Sequence, residues 1–481
     1  MKNKKNDNFS EWFTEITQEA ELCDLRGNIK GFIVNMPWAV ITMKKMYALY
    51  EAELERKGHK PALFPSLIPE SFLAVEEEHV KGFVPEVFWV THAGDKKLEE
   101  KMAMRPTSET IMYKLYSLWV QGLKDLPIKI YQSCPMWRCE TKATRPFIRG
   151  REVWWIEAHD VFATKEQAEQ QVREDMETTE TIMHQQFGIP FVFFQRPQWD
   201  KFPGAEDTYA ADCLMPDGKI IQQPSTHMLG QRFSKAFDIK YLDAEGKQQY
   251  AWQTCYGPAI WRIYASIVSQ HGDDKGLILP FALAPVQIII VPIYKKENEM
   301  IVRDKCYKIK QILSQSNFKI ESDFSEETPG AKFYKWEMKG VPIRIEIGEK
   351  EATSGKLTLV RRDSGTKEQV DEGKLIERIQ ELEEIIRKNL VSKADEYFRS
   401  KFFKASTKDE LKEQLKKGGF VRIPFCTIEM EGKECADYVK AETIADIRGV
   451  PFDSKEKPSP NEVCIHCGKP ANVYVYAGKQ Y

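Results

Sequence analysis

The sequence predicts an α+β chain of three units, on three observations. Two strand-like stretches, IKIYQSCPMWRCE at 128–140 and REVWWIEAHDVF at 151–162, flank a loop at 141–150, which reads as a hairpin with a long tip. Few parallel strand–helix–strand units occur before about residue 284, so residues 1–283 read as a mostly antiparallel sheet with helices. From PVQIIIVPI at 285–293 onward, buried-strand and helix signals alternate as in a βαβαβ unit. We therefore expect units at 1–283, 284–390 and 391–481, the last a small α/β unit bearing cysteines. A chain of 481 residues supports about two to four such units.

The elements follow in order. Residues 9–57 carry helical patterning, with Trp12, Ile16, Met43, Met46, Tyr47 and Tyr50 at three- and four-residue spacings, and Gly58 is the stop. KPALFPSLIP is short and extended, broken by Pro65 and Pro69. KMAMRPTSE at 101–109 is a strand running into a helix that Thr107 or Ser108 caps. The hairpin 128–162 comes next, then a helix over about 164–187. In the second unit, helices are expected at about 296–316 and 331–338, and strands at FKIESD, VPIRIEIG and GKLTLVRRD. KLIERIQELEEIIRKNLVSKADEYF is a helical connector to the third unit.

Composition narrows the function classes. With 70 basic and 72 acidic residues the net charge is -2, so a polyanion partner must be met by local basic patches. MKNKKNDNFSEWF has no apolar core of a signal peptide, and the longest apolar runs are too short to span a membrane. Ten cysteines at this length are expected to be reduced thiols or metal ligands in a cytoplasmic protein.

The chemistry concentrates in the hairpin. A strand over 151–163 sends Trp155, Glu157 and His159 to one face and Trp154, Ile156, Ala158 and Asp160 to the other. A carboxylate beside an indole suits a small cationic amino acid, although an ordinary half-buried strand carries the same residues. Arg138 and Glu140 share a face of the first strand, as a plain cross-strand ion pair also would. The tip adds Lys142, Arg145, Arg149 and Arg151, cations that repel one another unless an anion or solvent screens them. Arg262, at the start of a helix after Gly257, and Gln222 would complete a triphosphate clamp with Arg138 and Arg149. Neither GxxxxGK[ST] nor GxGxxG is present. In the third unit Cys426, Cys435, Cys464 and Cys467 supply four thiolates for a tetrahedral zinc. His466 is an alternative ligand, and incidental buried thiols are the plain alternative.

These stretches resemble a known family. GHKPALFPSLIP resembles motif 1 of class II aminoacyl-tRNA synthetases. PMWRCE with TRPFIRGREVWWIEAH resembles motif 2, and YGPAIWRIYASIV with HGDDKGLILP resembles motif 3. RPTSE, TRPF and EAH in that order are similar to the prolyl branch, and VCIHCG with the final Tyr481 resembles its archaeal and eukaryotic-like members. The resemblance covers about residues 10–481. It implies a class II antiparallel catalytic sheet, an α/β anticodon-binding domain and a zinc-binding C-terminal domain. It implies proline held by Thr107, Glu109, Arg138, Trp155, Glu157, His159, Phe202 and His227. ATP, with Mg²⁺, would be held by Arg138, Glu140, Arg149, Gln222, Ser225, Thr226 and Arg262, of which Arg138 and Arg262 are the catalytic pair. It further implies tRNA(Pro) as partner and a homodimer through motif 1.

The chain departs from the family pattern at three places. Val153 stands where an adenine-stacking phenylalanine is frequent. QQPSTHMLG has Pro224 for a glycine and Ser225–Thr226 in swapped order. GPAIWR is one residue longer than the usual spacing. The interval 141–256 is too short for the editing domain of bacterial-type relatives, so some alanine activation without self-contained correction is expected. A threonyl- or histidyl-type enzyme fits the pocket set less well. The alternative from another class is a catalytically silent relative that binds tRNA.

Overall fold

The structure is a computed structural model and describes residues 1–27, 29–79 and 87–481. Trp12, Phe13 and Ile16 bury one face of α1 (Phe9–Glu19), whose first turn is capped by Asn8 Oδ1 accepting from Glu11 N–H at 3.2 Å. The expected helical stretch 9–57 is broken. A two-stranded ladder, Cys23–Asp24 against Val34–Asn35, precedes α2 (Pro37–Arg56). Pro37 is the reason: inside a helix its ring would meet the preceding turn, whereas at the first helical position it costs nothing. Gly58, at φ +91°, ends α2 and donates to the Glu55 carbonyl at 2.9 Å. Met43, Met46, Tyr50 and Leu54 of α2 join α1 in the main core, each worth about 1.5–3 kcal/mol when fully buried.

β1 (Lys60–Pro61) and a small antiparallel sheet of β2 (Leu67–Pro69), β3 (Trp89–Ala93) and β4 (Lys96–Met104) follow. β4 runs into α3 (Glu109–Trp119) as expected. Ser108 sits at its N-cap position, but its hydroxyl does not cap the helix. The hairpin is β5 (Ile128–Trp137) and β6 (Glu152–Phe162), so its tip spans 138–151 and is longer than expected. Arg138 and Glu140 therefore lie in the tip rather than on a strand face. α4 (Lys165–Thr179) opens with a reciprocal cap, Thr164 with Gln167, and widens into a π-helical turn at Glu180–Gln186. β7 (Val192–Gln195), β8 (Asp207–Leu214), β9 (Ile220–Gly230) and β10 (Trp252–Gly257) continue the sheet, and α5 (Ile260–His271) packs behind it.

The second unit is a five-stranded sheet with α6 (Glu299–Leu313) and α7 (Pro329–Met338). In chain order its strands are β11 (Ile288–Pro292), β12 (Ile320–Ser322), β13 (Ile343–Ile347), β14 (Lys356–Arg361) and β15 (Lys367–Asp371). Their spatial order is β12-β11-β13-β14-β15. β11 is buried throughout and parallel to β12 and β13, as its apolar run implies. β14 and β15 are antiparallel additions, and β15, mostly polar, lies outside the strands expected from the sequence.

α8 (Leu375–Arg399) leads to β16 (Phe402–Lys404), α9 (Lys408–Lys416), β17 (Phe420–Phe425), α10 (Lys433–Thr443), β18 (Asp446–Pro451) and β19 (Val473–Gly478). These strands do not form a separate sheet. β18 pairs with β7 through Val450–Gln195 and Pro451–Phe194, giving one sheet in the order β16-β17-β19-β18-β7-β8-β9-β10-β6-β5-β1. Among the described residues no helix is long and apolar enough to cross a membrane.

Candidate active site

A cavity of about 310 Å³ opens on the face of β6 that carries Trp155, Glu157 and His159. Thr107, Glu109, Arg138, Phe202, Gln222, Ser225 and His227 also line it, so ten of the residues singled out from the sequence converge here. The Glu157 carboxylate accepts from Ser108 Oγ and from Gln132 Nε2 (2.9 Å), and its second oxygen meets His159 Nε2 at 3.2 Å. Burial alone would raise the Glu157 carboxyl. The bond and charge of His159, with Ser108 and Gln132, outweigh it and hold the carboxyl below its usual value. Burial opposes the His159 imidazolium, yet Glu157 and Glu109 raise its pKa. Each charge of the pair thus favours the other. Glu109, bonded by Thr107 Oγ1, is raised by burial, partly offset by His159. With all three charged the wall carries one surplus negative charge, which suits a small cation.

Arg196, Asp200 and Lys201 also line the cavity, and the remaining wall is apolar or neutral. The Phe202 ring lies 4.8 Å from the His227 ring. His227 bonds Thr208 Oγ1 (2.8 Å) and Ser225 Oγ (3.0 Å), and burial, with His159 and Arg196 nearby, pushes its pKa down to about 3. Gly257 is required by Trp155: a Cβ there would stand 2.9 Å from the indole.

At the other end of the cavity the Arg138 guanidinium lies 5.3 Å from the Trp155 ring centre, with Nε donating to the Pro106 carbonyl at 3.1 Å. Arg262, in the first turn of α5, donates to the Gln222 carbonyl at 3.2 Å. Burial first, then Arg138 and Arg149, push its pKa down to about 10, against the opposing charge of Glu140. Arg149 and Glu140 stand 3.7 Å apart. Three guanidiniums against one carboxylate leave two surplus positive charges, an anion site of triphosphate type.

Not every expectation holds. The Thr226 hydroxyl donates to Asp175 Oδ2 at 2.7 Å on the opposite face of the sheet, so Thr226 is absent from the cavity. Strand alternation separates it from Ser225 and His227. The tip cations also divide. Arg145 packs its guanidinium 5.0 Å from the Phe13 ring and donates to the Ser10 carbonyl at 2.7 Å, and Arg151 donates to the Glu140 carbonyl. Arg149 faces the Arg138–Arg262 group. Val153 packs against the main core.

Sequence reasoning missed Ser108, Gln132, Arg196, Asp200, Thr208 and Cys255. Gln132 was recoverable, because antiparallel register sets it opposite Glu157. Arg196 and Asp200 come from an irregular segment without local pattern.

The second cluster lies in the third unit. The Sγ atoms of Cys426, Cys435, Cys464 and Cys467 all stand within 4.8 Å of one another, and Cys426 and Cys435 are 3.7 Å apart. Four sulfurs about a tetrahedral zinc lie about 3.8 Å apart, so the donor set fits that ion. His466 instead stacks on Tyr438, with ring centres 3.9 Å apart.

Comparison with known proteins agrees with this layout. The family model described as tRNA synthetase class II core domain (G, H, P, S and T) matches residues 88–271. The anticodon binding domain model matches 287–382, and the prolyl-tRNA synthetase C-terminal model matches 408–481. The chain is 50% identical over 480 residues to a proline–tRNA ligase of Thermofilum pendens, covering 99% of this chain and 98% of that protein. It is 42% identical over 475 residues to the proline–tRNA ligase of Methanosarcina mazei, covering 98% and 97% of the two chains. The Giardia lamblia prolyl-tRNA synthetase in complex with prolyl-adenylate superposes with a TM-score of 0.95 at 37% identity, covering 99% of both chains. The three family matches follow one another along the chain as the three units do, the relatives are covered almost end to end, and the chain belongs to the prolyl-tRNA synthetases of class II.

Proposed function

We propose that the protein is a proline–tRNA ligase that forms prolyl-adenylate from proline and ATP and transfers the prolyl group to the 3′ end of tRNA(Pro). The single observation that carries this is a cavity that holds Glu109, Glu157 and His159 together with Arg138, the guanidinium that Arg149 and Arg262 stand beside. Glu109 and Glu157 draw in the proline ammonium, and Trp155 and Phe202 flank its ring. ATP enters as its Mg²⁺ complex and lies against Arg138, Arg149, Arg262, Gln222 and Ser225. The proline carboxylate oxygen attacks the α-phosphorus, the bond to the β-phosphate oxygen breaks, and pyrophosphate leaves with the electron pair. Arg262 and Arg149 neutralise the leaving charge, and Arg138 spans both substrates. Positioning and charge stabilisation supply the rate, and no general base is needed. The terminal tRNA hydroxyl then attacks the adenylate carbonyl, its proton passes to the adenylate phosphate, the bond from the carbonyl carbon to the phosphate oxygen breaks, and AMP departs.

Residues 1–283 would be the catalytic unit, 284–390 the anticodon-binding unit and 391–481 the zinc-binding unit. In the second of these Arg344 is paired with Glu337 at 3.0 Å and Glu346 at 3.1 Å, so it offers no spare fork to a guanine edge. Arg362 is already committed to Asp273. Zinc, held by Cys426, Cys435, Cys464 and Cys467, would supply structural cross-linking. A homodimer is supported by β1 at the sheet edge, with Leu63 78%, Leu118 63% and Trp119 45% exposed nearby. A monomeric mass in solution would refute it. The ten free cysteines suit the reducing cytoplasm.

The test is amino-acid-dependent ATP–pyrophosphate exchange across all twenty amino acids. Proline is expected to give the strongest signal and alanine a weaker one, since the pocket discriminates by about 1–3 kcal/mol per methylene. No exchange with any amino acid would instead leave the silent tRNA-binding relative.

A further inference from the structure

Gln222 is held at both ends. Its backbone carbonyl accepts from Arg262, and its side-chain Oε1 accepts from Arg196 Nη2 at 3.2 Å. A guanidinium only donates, so the oxygen of the amide must face Arg196, and the NH₂ group is left to the cavity that Gln222 lines. Arg196 is itself held from beneath. Its two terminal nitrogens reach Asp212 at 2.9 and 2.6 Å, and Arg448 grips the same carboxylate at 2.7 and 3.0 Å. Arg196 also donates to the Arg448 carbonyl at 2.9 Å. Arg196, Asp212 and Arg448 are 1%, 0% and 1% exposed. Arg448 belongs to β18, in the third unit, and its remaining nitrogen is fixed by Gln480 Oε1 at 2.8 Å.

We propose that Arg448 is a positioning residue for adenylate formation, acting through Asp212 and Arg196 to set the Gln222 amide in the ATP half of the cavity. The C-terminal unit thereby becomes part of the adenylation site. Asp212 between two guanidiniums, with Asp200 as a second nearby carboxylate, takes four charged groups out of water, an expensive arrangement for mere docking of two units, where a single pair would do. Removing Arg448 leaves Asp212 its two-pronged pairing with Arg196, and the Asp200 carboxyl, already raised by burial, can take up a proton in place of the lost charge, so the fold should survive, while Asp212 is released from one side and Arg196 with it.

This inference rests on the proline-activation reading, and the unmodified full-length protein tests that reading in the same assay. Arg448→Met and Arg196→Lys are compared with it by ATP–pyrophosphate exchange, with KM for ATP and for proline measured separately. The lysine keeps the charge but cannot fork between Asp212 and Gln222. Both variants are expected to raise KM for ATP about tenfold to a hundredfold, the worth of one hydrogen bond to a charged group, with KM for proline little changed. The double variant Arg448→Met with Gln222→Ala should be no worse than Gln222→Ala alone. Unchanged KM for ATP in the folded variants, or effects of Arg448→Met and Gln222→Ala that multiply, would overturn the proposal while leaving proline activation standing. If Arg448→Met fails to fold, Arg196→Lys decides. Absence of exchange in the unmodified protein would remove both.

Discussion

At the scale of single residues, the cavity is a set of mutually dependent ionisations. Glu157 and His159 stabilise each other's charge, and Glu109 is left as the carboxyl that burial pushes up. The sign of the pH effect follows. Below its raised pKa, Glu109 is protonated and has no charge to offer an ammonium, and above it the carboxylate is formed. KM for proline should therefore rise as pH falls through that raised value and level off toward neutrality. Glu109→Gln should raise KM for proline about tenfold to a hundredfold at neutral pH and remove most of the acid-side dependence. A profile identical to that of the unmodified protein would show that another group carries the titration.

At the scale of elements, the end of α10 carries a strained residue. Ile444 takes φ +60° at the helix C-terminus, with its side chain 77% exposed. A β-branched residue in the left-handed region costs about 1–2 kcal/mol, and glycine is the residue that ends helices this way without that cost. Ile444→Gly should therefore stabilise the chain by about 1 kcal/mol, after allowing for the little apolar surface that the isoleucine buries, read as a higher urea midpoint. A lower midpoint would mean that the packing of the isoleucine side chain is worth more than the strain. The hairpin tip teaches the same lesson in reverse. Its four cations suggest one anion site, yet two of them spend their charge on carbonyls and aromatic faces.

At the scale of the whole molecule, the shared sheet couples regions that the sequence separates by more than two hundred positions. Because β18 pairs with β7, and Arg448 reaches Asp212, the third unit cannot open without loosening the floor of the cavity. Stripping metal from the Cys426–Cys435–Cys464–Cys467 cluster with a chelator should lower the thermal midpoint. It should also lower proline-dependent exchange, and both should recover on adding zinc. Loss of tRNA charging with exchange intact would show that the third unit is energetically separate from the adenylation site. A thermal midpoint indifferent to chelation would point to plain buried thiols.

Local rules determined much of this protein. Period-two alternation put Trp155, Glu157 and His159 on one face, the apolar run at 288–292 made a buried parallel strand, and the cysteine spacing named the cluster that the fold assembles. Gly58 is legible as a helix stop, whereas Pro37 shows its role as a helix start only beside the ladder that precedes it. What the tertiary structure decided are relations between distant segments. Arg196, Asp212 and Arg448 carry no shared pattern, and Thr226 and Arg145 turn away from the cavity to partners on other elements. The physical reason is range. Backbone periodicity and turn chemistry act over a few residues and can be read along the chain. A buried charge finds its partner wherever folding brings one within about 3 Å, and that distance has no image in sequence order.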